Sequence, residues 1–190
     1  MLLGQTQYKR KDVKTLTFQS SLSGVPSSAW DVSEAGDGSV LAWMDNGDLY
    51  VAADGAIAPN SNASWLFYKF VNLKTINFGN CFVTSSVTQM SDMFEGCSSL
   101  ISLDLSGFDT SSVTGMYAMF FGCSNLISLD LTGFDTSCVT TMASMFSGCS
   151  SLTALDLASF DTSSVTTMES MFSGCSSLTA LDLTSFGTSN

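Results

Sequence analysis

Residues 100–125 read LISLDLSGFDTSSVTGMYAMFFGCSN, and close copies of these 26 residues follow. Cys97, Cys123, Cys149 and Cys175 keep that step, as do Leu103, Leu129, Leu155 and Leu181. Phe108, Phe134, Phe160 and Phe186 share it, and so do Asp104, Asp130, Asp156 and Asp182. A fixed period of this size marks one supersecondary unit stacked on copies of itself. The functional question therefore moves from a catalytic pocket to a surface.

Within the unit, Leu103 and Leu105 alternate with Ser102, Asp104 and Ser106. Period two predicts a short strand with leucines inward and Ser and Asp outward. Beyond Phe108 the apolar positions become Val113, Met116, Met119 and Phe120, a three-and-four spacing that predicts a short helix or consecutive helical turns. Asp109, Thr110 and Ser111 are turn and capping types, and Gly122 stands where such a helix would end. Thr166 and Glu169 have capping-box spacing. Strands of successive units would pair in parallel, with helical turns on the other side. The expected fold class is an α/β repeat solenoid: an arc with a parallel β-sheet on the concave face and short helical turns on the convex face.

A degenerate first unit precedes the regular ones. Phe67, Phe70, Leu73, Ile76 and Phe78 lie 27 residues before Phe94, Cys97, Leu100, Leu103 and Leu105, so the array begins near Trp65. The expected division is 1–64 for a β-rich capping unit and 65–190 for the repeats. In 1–64, residues 29–33, 39–44 and 48–53 are candidate strands, and Asn46-Gly47 between apolar runs is a strong hairpin signal. A small antiparallel β cap with Trp30, Trp43 and Tyr50 would cover the apolar end of the first unit. No cover is visible after Gly187-Thr188-Ser189-Asn190, which predicts an uncapped end that continues or stacks on a partner.

The chain carries 6 Lys and Arg against 17 Asp and Glu, a net charge of −11, and nothing after Lys74 is basic. Such a surface repels phosphate backbones and anionic lipid, which argues against nucleic acid and acidic membranes as partners. Lys9, Arg10 and Lys11 read as a solvated leading edge. No apolar run approaches the roughly 20 residues of a membrane-spanning helix, and MLLGQTQYKRK lacks the order of a signal peptide.

The pattern TSSVTxMxxMFxGCSSLxxLDLxxFD, with matching segments 110–135, 136–161 and 162–186 and a close fourth at 84–109, resembles the bacterial surface protein (BspA-type) leucine-rich-repeat family. The stretch AWDVSEAGDGSVLAWMDNGDLYVAADG at 29–55 also looks like the leader preceding such repeats. The resemblance implies a cell-surface or secreted bacterial protein that adheres to or binds extracellular or host protein. It brings no catalytic residue.

Asp104, Asp130, Asp156 and Asp182 are the most function-like residues, flanked by Ser102, Ser128, Ser106 and Thr132. One reading is that an exposed strand position simply takes a polar residue. The other is an acidic stripe that meets a basic partner or weakly holds cations. A linear row does not converge as hard cations require, so no metal site is assigned. Asp109, Asp135 and Asp161 read as turn caps. The cysteine ladder reads as buried free thiols rather than a disulfide row or zinc site, there being no C-x-x-C and no histidine.

Without histidine, the usual general base and every Ser-His or Cys-His arrangement are missing. The expectation is a non-enzymatic module without cofactor. Its concave acidic, hydroxyl-rich face would bind extracellular or host protein or glycan, with end-to-end self-association through the uncapped end. Alternatives are a spacer that projects another domain from the cell surface and, more remotely, a carbohydrate-active enzyme.

Overall fold

The computed structural model of the chain describes residues 8–187. The signal-peptide reading falls partly, at residues 1–7, and the uncapped end partly, at 188–190, outside the described residues.

Alternation in Leu16 and Phe18 builds β1 (Thr15–Gln19), whose two apolar side chains are buried. β2 (Trp30–Asp31), β3 (Val40–Asp45) and β4 (Asp48–Ala53) follow. The β3–β4 hairpin turns at Asn46 (φ 51°) and Gly47 (φ 98°). Positive φ at both central residues is what a two-residue hairpin matching strand twist demands, which is why Asn-Gly stands there. β5 (Thr75–Asn77) belongs to the first repeat, yet it pairs in parallel with β1, Leu16 opposite Ile76. The resulting five-stranded sheet has the order β2-β3-β4-β1-β5. It is mixed, because β1 runs parallel to β4 while β3 and β4 are antiparallel. The expected small antiparallel cap is corrected accordingly: β1, which no turn signal announces, inserts between the hairpin and the repeats.

A separate three-stranded parallel sheet, β6-β7-β8, is formed by Ser102–Leu103, Ser128–Leu129 and Ala154–Leu155. Its register, Leu103 to Leu129 to Leu155, reproduces the 26-residue step. Leucines point inward and are buried, while Ser102, Ser128 and Ala154 are exposed.

The expected helical turns are not helices. Among the described residues there is no α-helix, and one 3-10 turn (Arg10–Asp12) is present. The reason lies in the backbone of the second wall. Asp92, Ala118, Ser144 and Ser170 have φ between 50° and 58°, and the glycines four residues on (Gly96, Gly122, Gly148, Gly174) are also positive. Each left-handed residue interrupts the i→i−4 pattern of a helix. Alternate amides then point to the next unit: Met116, Ala118, Phe120 and Gly122 donate to the carbonyls of Thr141, Ala143, Met145 and Ser147 at 2.8–3.1 Å. The amides between them close short turns, as in Phe121 to Ala118 at 3.0 Å. The three-and-four spacing of Met116, Met119 and Phe120 thus arises from a chain that bonds sideways. Gly122 caps no helix, and Thr166 and Glu169 form no capping box. The α/β leucine-rich-repeat arc is therefore corrected to a mostly β molecule with one mixed five-stranded sheet and one three-stranded parallel sheet.

The core is continuous from Val13 to Met171. Phe67, Phe94, Phe120, Phe146 and Phe172 stack face to face, with centroids 5.2, 5.6, 5.7 and 5.8 Å apart. Offset aromatic pairs at such spacing add to area burial by about 0.5–1.5 kcal/mol each.

Candidate functional site

Asp104, Asp130, Asp156 and Asp182 are all exposed; the first three follow an inward leucine of the short sheet, and Asp182 follows the half-buried Leu181 beyond it. Their Oδ1 atoms accept the backbone amides two residues on: Ser106 at 3.0 Å, Thr132 at 3.0 Å, Ala158 at 3.0 Å and Thr184 at 2.9 Å. Asp130 also accepts the Thr132 hydroxyl at 2.7 Å. Each aspartate is therefore the first residue of an Asx turn, which for Asp104, Asp130 and Asp156 lets the chain leave its two-residue strand. These bonds hold the Asp104, Asp130 and Asp182 carboxyls below their ordinary value, so they are ionised at neutral pH. The charge of Asp130 opposes this slightly at Asp104.

Three of the four meet in one place. Asp130, Asp156 and Asp182 line a broad, shallow trough of about 670 Å³ with Ser128, Thr132 and Ala180. Asp104 and Ser106 border a different depression, beside Asn77 and Phe108. Ser102 is exposed and pairs with Ser128 in the sheet register. Seven of the eight residues singled out from the sequence thus divide between two surface features, and Ser102 lines neither.

Asp109 and Asp135 cap local backbone. Asp109 Oδ1 accepts the Ser111 amide at 3.1 Å and hydroxyl at 2.6 Å, and Asp135 does the same with Ser137. Asp161 accepts the Ser163 amide at 2.8 Å. The ladder thiols are free and donate to a phenylalanine carbonyl of the preceding unit: Cys97 to Phe67, Cys123 to Phe94, Cys149 to Phe120 and Cys175 to Phe146, at 3.0–3.2 Å. Burial pushes the Cys97 and Cys149 thiols up to about 12. They are inert packing groups. Among the described residues no group of three or more His, Cys, Asp or Glu side chains converges to hold a metal ion. No helix among them is long and apolar enough to cross a membrane.

Residues 61–186, more than half of the chain, match the family described as "Mycoplasma protein of unknown function, DUF285". The chain belongs to that family. The match replaces the BspA-type leucine-rich-repeat assignment, which no family match supports. No curated protein matches the chain, and no solved structure does. The DUF285 segment starts at Ser61, so it includes the degenerate first unit as well as the regular ones.

Two features of this DUF285 segment escape a reading of the sequence. One is Asp92, buried at 7 % exposure beside Glu95, where later units carry Ala118, Ser144 and Ser170. Its burial, with the hydrogen bond and charge of Glu95, raises it to about 6. The departure of Asp92 and Glu95 from the repeat pattern is the signal that could have found the pair. The other is the buried threonine column Thr84, Thr110, Thr136 and Thr162. It links units, whereas its sequence position suggests only a local cap.

Proposed function

We propose that the chain is a non-catalytic binding module that presents an acidic, hydroxyl-bearing trough to a basic protein at the cell surface or outside the cell. The observation that carries this reading is the trough of Asp130, Asp156 and Asp182. Three carboxylates are held at fixed stations by Asx turns on a surface that no Lys or Arg among the described residues lines. Like charges on neighbouring strands oppose one another, and a cationic partner relieves that repulsion. Complementary charge of this kind sets on-rate and selectivity more than affinity.

The test replaces all four aspartates by Asn, which retains the Oδ1 acceptor of each Asx turn and removes the charge. Immobilised chain is offered poly-L-lysine, a panel of basic extracellular proteins and a glycan array. The expected result is binding to basic polypeptide that weakens with salt and falls about tenfold in the quadruple variant, with an unchanged circular dichroism spectrum. Equal binding by parent and variant overturns the trough. Silence on every panel favours a spacer. Protease shaving of intact cells tests the location, and full protection of the chain would overturn it.

A further inference from the structure

The five-stranded sheet is packed unevenly. Under β1, Phe18 meets Phe67, Phe78 and Phe82 of the first repeat at 6.3, 5.8 and 4.8 Å between centroids. On the β2–β3 side of the sheet, Val32 and Val40 stay half-buried. A crevice of about 360 Å³ opens there. Its floor is Phe18, Val51, Ile57 and Phe82, and its mouth carries Glu34, Asn60 and Asn62.

Volume, lining and charge together define what fits. The volume lies within the range of small-molecule sites, which combine an apolar floor with a few polar groups that set orientation. Among the described residues, Glu34 is the one charged side chain that lines the crevice. Its loop is pinned: Asp31 accepts the Ser33 amide at 2.8 Å, the Ser33 hydroxyl at 2.6 Å and the Gly38 amide at 2.9 Å. A carboxylate at the mouth of an apolar slot, in a chain of net charge −11, repels anions and favours a positive group above a ring or branched apolar body. We propose that this crevice binds a small amphiphilic cation, its apolar body on Phe18, Val51, Ile57 and Phe82 and its ammonium toward Glu34. The site is separate from the acidic trough and does not depend on it.

Tryptamine is the probe, with indole-3-acetate as the same ring carrying the opposite charge. Both are titrated into uniformly ¹⁵N-labelled chain and followed by amide shifts. The expected result is saturable tryptamine binding in the millimolar range or tighter, with shifts at Val32, Val40 and Ala58, and indole-3-acetate about tenfold weaker. Glu34→Gln should bring the two within about threefold of each other. Ala58→Trp, at an exposed lining position, should block both while leaving the rest of the spectrum unchanged. The quadruple Asp→Asn variant should bind tryptamine as the parent does. Absence of saturable shifts up to about 10 mM overturns the site. So does tryptamine binding that survives both Glu34→Gln and Ala58→Trp, or that disappears in the quadruple variant.

Discussion

The hydroxyl of Thr110 donates to the carbonyl oxygen of Asp135 at 2.9 Å and accepts the amide of the same residue at 2.9 Å. One buried side chain thereby satisfies both backbone groups of a residue in the next unit. Thr84 with Asp109 and Thr136 with Asp161 repeat the arrangement, and Thr162 accepts the amide of Gly187. Thr110→Val keeps the shape and strands a donor and an acceptor. It should lower stability in chemical denaturation by about 1–3 kcal/mol, whereas Thr110→Ser should recover most of the loss. Equal stability of the Val variant and the parent would show that these backbone groups find water instead.

Asp92 gives the opposite sign of pH dependence from the exposed aspartates. Burial and Glu95 raise it from 3.8 to about 6, so the folded chain binds a proton that the unfolded chain has released. Stability from this site falls as pH rises from about 4 to 6 and stays low above. Asp92→Ser, the residue that Ser144 and Ser170 place at the same station, should stabilise the chain at pH 7.5. With solvent screening allowed for, the gain is on the order of 1 kcal/mol, and it should vanish near pH 4. Thermal melts of both proteins at the two pH values check it; a loss of stability at pH 7.5 would contradict it.

Asp109, Asp135 and Asp161 behave conversely. Hydrogen bonds from Ser111, Ser137 and Ser163 hold them below their ordinary value, so their contribution is present above pH 4 and is lost on acidification through the folded value. Ser111→Ala and Ser137→Ala should each shift acid unfolding to higher pH, followed by tyrosine fluorescence. An unmoved midpoint in both would remove these caps from the acid response.

Thiol chemistry reads the burial of the cysteine column. Cys138 is exposed, while Cys81, Cys97, Cys123 and Cys149 are buried and Cys175 is half-buried. Native chain should show a fast phase of one thiol with Ellman's reagent, absent from Cys138→Ser, and all six should react after denaturation. A fast phase that persists in Cys138→Ser, or fewer than six thiols at the end, would contradict this arrangement.

Much of the stacking was legible because period two and the 26-residue step are carried by side-chain polarity itself. Leu103 in, Asp104 out and the Phe94–Phe120–Phe146 column all follow from them. The second wall reads as helical in the sequence because left-handed φ at Ala118 and Ser144 leaves no mark in the residue type, unlike glycine at 122 and 148. β1 is not legible in the sequence, since Leu16 and Phe18 sit next to a basic run and gain their partners only from β4 and β5, distant in sequence. Outward placement of the aspartates could be read from alternation. Their gathering into one trough at Asp130, Asp156 and Asp182, with Asp104 left apart, depends on how units sit on one another.

The unit-to-unit backbone ladder underlies the core, the thiol column and the trough alike. Through-hydrogen-bond scalar couplings measure it directly on ¹⁵N,¹³C-labelled chain. The amide nitrogen of Phe120 should couple to the carbonyl carbon of Met145, as Ala118 should to Ala143, across bonds of 2.9 Å. Coupling of Phe120 to the carbonyl of Met116, four residues back, would instead reveal a helix in this wall and contradict the stacked-ladder account.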